Sequence, residues 1–362
     1  MTHNSTDSSE VSPRRRLRDL GIAPGDFAPG PLNAITDVAG VLVGHATVVE
    51  GATIRTGATA ILAHGGNLFR DKVPAAIAVF NGYGKFAGST QIEELGEIET
   101  PVVLTNTLAT GRAIEAIHAH TLAQPGNSRV VSINAVVGET NDSRLNDIRA
   151  GRPDVSEIRA AIATATDGPV VEGAVGAGSG TVAFGLKGGI GTSSRLVPFK
   201  GGETFTVGVL VQSNYGGRLL IDGATWNASP AAEDKDGSIV IVVATDAPLC
   251  ERNLKRLGQR AFGGLAKTGA ALSNGSGDYA LVFSTHESVR RTPQRRAGIV
   301  MTPTLPNELV SPLFEAVIEA TEEAILNSLC MAHTVEGYDA GSGKPSRVEA
   351  ISLEALSLYK AR

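Results

Sequence analysis

The triplet Asp236-Gly237-Ser238 stands where a polar segment of small residues runs into the apolar run SIVIVVA. Glycine permits a strained backbone, and the hydroxyl that follows it can attack the preceding carbonyl carbon to form an ester that water opens. Scission would leave Ser238 with an α-amine, whose reference pKa of about 7.7–8.0 suits a general base. The triplet therefore predicts a self-cleaving chain with a serine nucleophile, although a simple turn is the alternative.

Four further polar residues lie beside predicted strands and could complete such a site. Asn214 follows the run TVGVLV and could aim its amide at a developing oxyanion. Ser276 and Asp278 precede the run ALVFS and could tune the proton affinity of the amine. Glu139 follows the run Val130–Val137 and could receive the ammonium group of a substrate. Each is also an ordinary choice for a turn or a solvated surface.

The other motifs do not favour metal or cofactor chemistry. The histidines show no HxxxH or HExxH spacing, and no G-x-S-x-G elbow is present. A Ser-His-Asp triad stays open, because its members need not be close in sequence. Residues 178–183 fit the dinucleotide pattern G-x-G-x-x-A, but FGLKGGIG follows where a helix should begin. We therefore expect no metal and no cofactor.

Composition excludes several other classes of protein. The formal net charge of -5 and the lack of a basic stripe argue against nucleic-acid binding. No run reaches the roughly 18 apolar residues that span a bilayer, so we expect no membrane association and a cytoplasmic protein. The triplet Arg14–Arg16 is not followed by the apolar run of a signal peptide. Cys250 and Cys330 cannot build a disulfide framework.

Short apolar runs alternate with helical patterns, which predicts a layered α/β domain. We expect a flexible arm over residues 1–30 and a single domain over residues 31–362. A glycine-dense stretch at residues 173–191 is not expected to be helical, and residues 222–237 are expected to form an exposed loop. The predicted strands are Ile77–Phe80, Val102–Thr105, Val130–Val137, Phe205–Val211, Ile239–Ala244 and Ala280–Ser284; the predicted helices are Arg112–Ala123, Ser156–Ala165, Leu254–Ala266 and Pro312–Leu329.

Many ordered segments together resemble the family of L-aminopeptidase D-Ala-esterase/amidases and β-peptidyl aminopeptidases. The likeness covers nearly the whole chain from about Asn33. The segments are NAITDVAGVLVGH, IRTGATAIL, KVPAAIAVFNGYG, ETPVVLTNTLATG, VVGETND, LNDIRAGRP, FGLKGGIGTSSR, VGVLVQSNYG, DGSIVIVVATDAPL and GSGDYALVFST.

The resemblance implies a four-layer αββα sandwich of the N-terminal-nucleophile type and a serine aminopeptidase or amidase. It also implies cleavage between Gly237 and Ser238 into an α-chain (1–237) and a β-chain (238–362), which assemble as a homotetramer of processed αβ units. The implied roles are these: Ser238 is the nucleophile, Ser276 and Asp278 support its amine, Asn214 forms the oxyanion hole, Glu139 holds the substrate ammonium, and Tyr83 lines the same pocket.

Two departures leave the substrate open. This chain has Asn141 in the substrate pocket where some members have an aromatic residue, and Asp278 is a methylene shorter than the glutamate of β-peptide-cleaving members. Small peptides, amino-acid amides or esters, and β-peptides all remain candidates. Three other functions stay as alternatives: an acyltransferase of the ornithine acetyltransferase type, although those enzymes carry threonine after the scissile bond; a binding protein that is never cut; and a dinucleotide-binding oxidoreductase.

Overall fold

A computed structural model describes residues 13–226 and 236–359 of the chain. The strands are β1 (Leu42–Glu50), β2 (Ile54–Leu62), β3 (Val73–Gly82), β4 (Phe86–Ala87), β5 (Glu97–Ile98), β6 (Val102–Asn106), β7 (Val136–Thr140), β8 (Val182–Ala183), β9 (Leu186–Lys187), β10 (Gly189–Pro198), β11 (Thr204–Asn214), β12 (Leu220–Ile221), β13 (Ala224–Thr225), β14 (Ser238–Thr245), β15 (Gly277–Ser284), β16 (Val335–Asp339) and β17 (Lys344–Val348). The α-helices are α1 (Ser89–Leu95), α2 (Thr110–Leu122), α3 (Val155–Ala163), α4 (Glu251–Lys267), α5 (Ser311–Cys330) and α6 (Leu353–Tyr359).

Two mixed sheets face each other and helices cover their outer faces. One sheet has the order β1-β2-β6-β7-β4 and is covered by α2 and α3. The second has the order β10-β11-β14-β15-β3-β5 and is covered by α4 and α5. Strand β14 illustrates the layering: Ile239, Ile241 and Val243 pack with the helices, whereas Val240, Val242 and Ala244 pack between the sheets. The expected four-layer αββα sandwich is therefore confirmed.

The burial of β14 on both faces determines where Ser238 lies. Residues 239–245 are all buried, and each large apolar side chain removed from water contributes about 1.5–3 kcal/mol. Because side chains alternate between faces, a slip of one residue would exchange the two sets of contacts. The register is thus strongly specified, and Ser238 is held as the first residue of the strand.

Most predicted elements are confirmed to within a few residues, but the strand Val130–Val137 is wrong over its first six residues. Only Val136–Thr140 forms a strand, and Val131 is 98% exposed. Val136 pairs with Val102, the first residue of β6, which follows Pro101. The partner strand therefore begins there, and Pro101 could not have extended the pairing because proline has no N–H to donate to the ladder. The apolar composition of residues 130–137 did not reveal where the strand starts.

The amino-terminal segment corrects the expectation of a flexible arm over residues 1–30. Leu17 is fully buried, and the Nε of Arg14 donates a hydrogen bond to the carbonyl oxygen of Cys330 at 2.7 Å. Arg18 forms an ion pair of 2.9 Å with the buried Glu323. Residues 13–30 are thus packed against the domain, whereas residues 1–12 lie outside the described part of the chain.

Two other expectations concern segments of unusual composition. The glycine-dense residues 173–191 contain no α-helix, as expected; they form a short 3₁₀ turn, β8, β9 and the start of β10. Of the expected loop 222–237, residues 227–235 lie outside the described part. Among the described helices, none has the length and apolar character needed to cross a bilayer.

Candidate active site

Ser238 is the first residue of β14, an interior strand of the second sheet, and it lies beside the ends of the two neighbouring strands. It pairs with Asn214 of β11 on one side and with Gly277 of β15 on the other. The N–H of Gly277 donates to the Ser238 Oγ at 3.2 Å and to the carbonyl oxygen of Gly237 at 3.0 Å. One backbone donor therefore contacts both the candidate nucleophile and the carbonyl of the candidate scissile bond.

Gly237 is required for a steric reason rather than for an unusual backbone angle. A Cβ at this position would lie 2.5 Å from the Cα of Tyr215 and would also collide with the carbonyl oxygen of Asn214. Its φ does not lie in the left-handed region, so a positive φ is not the reason for glycine at this position. Any larger residue would have to push the candidate scissile bond away from β11.

The side chain of Asn214 is held by two backbone groups. Its Oδ1 accepts a hydrogen bond from the N–H of Val182 at 2.9 Å, and its Nδ2 donates to the carbonyl oxygen of Asn141 at 3.0 Å. A primary amide has two N–H groups. The second Nδ2 hydrogen can therefore serve a ligand, from an amide whose orientation is already determined.

Glu139 places a carboxylate deep in the same site. The residue is 2% exposed, its Oε1 accepts the N–H of Lys85 at 2.8 Å, and its Oε2 accepts the hydroxyl of Thr107. Within residues 13–226 and 236–359, no lysine or arginine forms an ion pair with it. A buried carboxylate without a cation is costly, so the geometry suits a cationic ligand.

These residues line a single cavity of about 280 Å³. Tyr83 is 69% exposed and stands at its mouth. The cavity brings together six of the residues singled out from the sequence: Tyr83, Glu139, Asn141, Asn214, Gly237 and Ser238. It is also lined by Lys85, Thr107, Arg144, Val182, Asp236 and Gly275, among others.

Ser276 and Asp278 do not line this cavity. The Ser276 Oγ donates to the Asp278 Oδ1 at 2.6 Å, and burial raises the pKa of Asp278 above its usual range. Asp278 pairs with Ile239, whose side chain faces the helices, so its carboxyl group lies on the opposite face of the sheet from the Ser238 hydroxyl. The pair is separated from Ser238 by the backbone at Gly277.

Several contributors to the site were missed from the sequence. Thr107 and the N–H of Lys85 hold Glu139, the N–H of Val182 holds Asn214, and the N–H of Gly277 reaches Ser238. Thr107 follows the apolar strand β6 directly, and a hydroxyl at a strand end was an available signal. The three backbone N–H groups could not have been identified from the sequence, because nearly every residue type has one.

Histidine and metal chemistry find no support in this cavity. None of the described residues that line it is a histidine. In the described ranges, no group of three or more His, Cys, Asp or Glu side chains is arranged to hold a metal ion. The nucleophile candidate thus has no imidazole partner among the described residues that line the cavity.

Comparison with known proteins identifies the family to which the chain belongs. The profile of peptidase family S58 matches residues 33–342. The chain belongs to peptidase family S58. It is therefore a peptidase, and its likeness to a solved structure with a variant Ntn hydrolase fold confirms the N-terminal-nucleophile architecture.

Three relatives illustrate the likeness. The β-peptidyl aminopeptidase BapA of Sphingosinicella microcystinivorans is 39% identical over 355 residues, which cover 90% of this chain and 87% of that protein. The PH0078 protein of Pyrococcus horikoshii OT3 superposes with a TM-score of 0.88 at 42% identity, covering 95% of this chain and 98% of that one. The L-aminopeptidase D-Ala-esterase/amidase of Ochrobactrum anthropi, a prototype of the serine aminopeptidases with a variant Ntn hydrolase fold, gives a TM-score of 0.86 at 36% identity over 96% and 98% of the two chains.

Proposed function

We propose that this S58 peptidase cuts its own chain between Gly237 and Ser238 and then releases N-terminal amino acids from short peptides, amides or esters. One observation carries the proposal: Ser238 and the buried carboxylate of Glu139, which forms no ion pair with a described lysine or arginine, line the same small cavity. A carboxylate in that position can hold the ammonium group of a substrate while the hydroxyl attacks its first carbonyl.

The maturation step is an internal acyl shift. The Ser238 Oγ attacks the carbonyl carbon of Gly237, the C–N bond breaks, and the nitrogen leaves as the α-amine of Ser238. Water then hydrolyses the ester and leaves a carboxylate on Gly237. The products are the chains 1–237 and 238–362 of the single domain.

The new amine serves as the base in place of a histidine. It takes the proton of the Ser238 hydroxyl as Oγ attacks the substrate carbonyl, and it passes that proton to the leaving amine. The second N–H of Asn214 Nδ2 stabilises the oxyanion. Water then opens the acyl-enzyme ester with the same amine as base, and the free amino acid departs.

We propose that Ser276 and Asp278 act on this amine from the face of the sheet opposite to the Ser238 hydroxyl. In the uncut chain they contact each other rather than Ser238. After cleavage, the amine of Ser238 is no longer held in a peptide bond. Ser238 pairs with Gly277, and Gly277 lies between Ser276 and Asp278 in the sequence, so both side chains are close to the amine. Hydrogen bonds from this pair would orient the amine and tune its proton affinity.

The cavity favours a small substrate. Its volume of about 280 Å³ falls at the lower end of the range usual for small-molecule sites. Asn141 and Tyr83 would contact the substrate near the mouth. Small N-terminal residues therefore fit best, and β-peptides, which β-peptidyl aminopeptidases by their name act on, remain candidates alongside α-peptides.

Assembly as a homotetramer of processed units and a cytoplasmic location remain predictions. Light scattering on the purified enzyme measures the first, and cell fractionation tests the second. Acetyl transfer, a nicotinamide-dependent reaction and an uncut binding protein are not favoured, because the matching family is one of peptidases.

Mass spectrometry of the purified protein tests self-cleavage. We expect two chains, the smaller beginning at Ser238, for the wild type and for Ser238→Cys, which retains a nucleophile. Ser238→Ala should stay as one chain and should not hydrolyse amino-acid amides. The exposed Ser342→Ala serves as a matched control and should be cut normally. Cleavage and full activity of Ser238→Ala would refute the proposal.

A further inference from the structure

The segment 273–277, which leads into β15, contacts three consecutive residues around the scissile bond. The N–H of Gly277 reaches both Gly237 and Ser238, as described above. The same segment also holds the preceding residue, Asp236, through its side chain. The chain is therefore fixed on the carbonyl side of the bond as well as on the amine side.

Two donors converge on one carboxylate oxygen. The Ser273 Oγ donates to the Asp236 Oδ1 at 2.7 Å, and the N–H of Gly275 donates to the same oxygen at 3.2 Å. A Cβ on Gly275 would collide with the carboxyl group of Asp236. The turn is thus shaped to receive this side chain closely.

We infer that Asp236 is a positioning residue for self-cleavage. The inference rests on the proposed function, because it concerns the same bond. An attack by Ser238 on the Gly237 carbonyl requires the two groups to be held in a near-attack geometry, and fixing both flanks lowers the entropic part of the barrier. Asp236 holds one flank, and the strand pairing of Ser238 holds the other.

The role of Asp236 should belong to maturation more than to turnover. Once the bond is cut, Asp236 and Gly237 form the end of the chain 1–237, whereas the nucleophile and Asn214 remain in their strands. A loss of the Asp236 contacts should therefore slow cleavage much more than it lowers kcat/KM of the molecules already cut.

Timed cleavage during cell-free synthesis tests this inference. Samples are quenched in denaturant, and the uncut and cut chains are separated by electrophoresis. Asp236→Ala should slow cleavage by about tenfold, because the two hydrogen bonds to the side chain of residue 236 are lost. Asp236→Asn keeps the accepting Oδ1 and should restore most of the rate. The exposed Asp167→Ala serves as the matched control and should cleave at the wild-type rate.

A double-mutant cycle tests the contact itself. Ser273→Ala should slow cleavage less than Asp236→Ala does, because the Gly275 N–H remains. The double variant should be no slower than Asp236→Ala alone, since both changes remove the same hydrogen bond. Thermal unfolding in the uncut Ser238→Ala background checks that Asp236→Ala still folds.

The outcomes separate this inference from the proposed function. If Asp236→Ala is cut as fast as the wild type, or if Asn is as slow as Ala, the inference is wrong while self-cleavage stands. If the wild type is never cut, the proposed function itself fails. A multiplicative effect in the double variant would overturn the role given to the hydrogen bond between Ser273 and Asp236, because it would show that the two side chains act independently.

Discussion

Replacing Glu139 by glutamine removes the negative charge that we propose receives the substrate ammonium. The amide is nearly the same size and can keep the hydrogen bond from the Lys85 N–H, so the cavity should retain its shape. The carboxylate is almost completely buried, which strengthens its interaction with a cation relative to one at the surface. Charge is therefore the property that changes most.

The expected magnitude follows from that burial. A hydrogen bond to a charged group contributes about 1.5–3 kcal/mol. At about 1.4 kcal/mol per factor of ten, the loss lowers kcat/KM roughly tenfold to 150-fold for substrates with a free amine. Most of the loss should appear in KM, because the ammonium is present in the bound substrate as well as in the transition state.

A pair of substrates isolates the effect. One is an amino-acid amide, and the other is the same amide with hydrogen in place of the amino group. The wild type should prefer the amine strongly, and Glu139→Gln should lose most of that preference. Thr107→Val removes one hydrogen bond to Glu139 but keeps its charge, so its preference should persist.

Cleavage of the Glu139→Gln variant into two chains serves as the control that the variant is folded. Glu139 makes no described contact with Gly237 or Ser238, so the variant should still be cut into two chains. An unchanged ratio of kcat/KM for the two substrates, in a fully cut variant, would refute the reasoning. Glu139 would then have no part in holding the ammonium.

Two further variants test the oxyanion hole and a buried acid. Asn214→Ala should lower kcat by about 10²–10³-fold with a smaller change in KM, and a wild-type kcat would remove Asn214 from that role. Asp142 is buried, and its pKa is raised to about 6, mainly by desolvation. Its contribution to folding stability is therefore present at low pH and is lost as the pH rises through about 6. Asp142→Asn should lose this pH dependence; an unchanged slope of Tm between pH 4 and 7 would contradict it.

The alternation of apolar and helical runs determined much of the fold. Strand β14 was predicted because six consecutive residues, Ile239–Ala244, are apolar, which suits a strand buried on both faces. The helices α4 and α5 were predicted because their apolar residues recur at helical spacing. Local patterns of this kind depend only on neighbouring residues, so a single sequence contains them. The start of β7 depended instead on where its partner strand β6 begins, and that information is not local.

The candidate site divides in the same way. The types and order of residues around Ser238 and Asn214 indicated the chemistry, because an attacking hydroxyl after glycine and an amide at a strand end are chemically distinctive. The distances between these side chains, and the directions in which they point, were not available from the sequence. Tertiary structure decided that Glu139 shares a cavity with Ser238 and that Asp278 lies across the sheet from it.

The reason for Gly237 also came only from tertiary structure. The sequence suggested conformational freedom, whereas the close approach of β11 leaves no room for a Cβ. In the same way, the N–H groups of Gly277 and Val182 act through position alone, because every residue except proline has such a donor. Residue type determines which reactions a side chain can perform. Only packing between strands that are distant in sequence decides which groups meet to perform them.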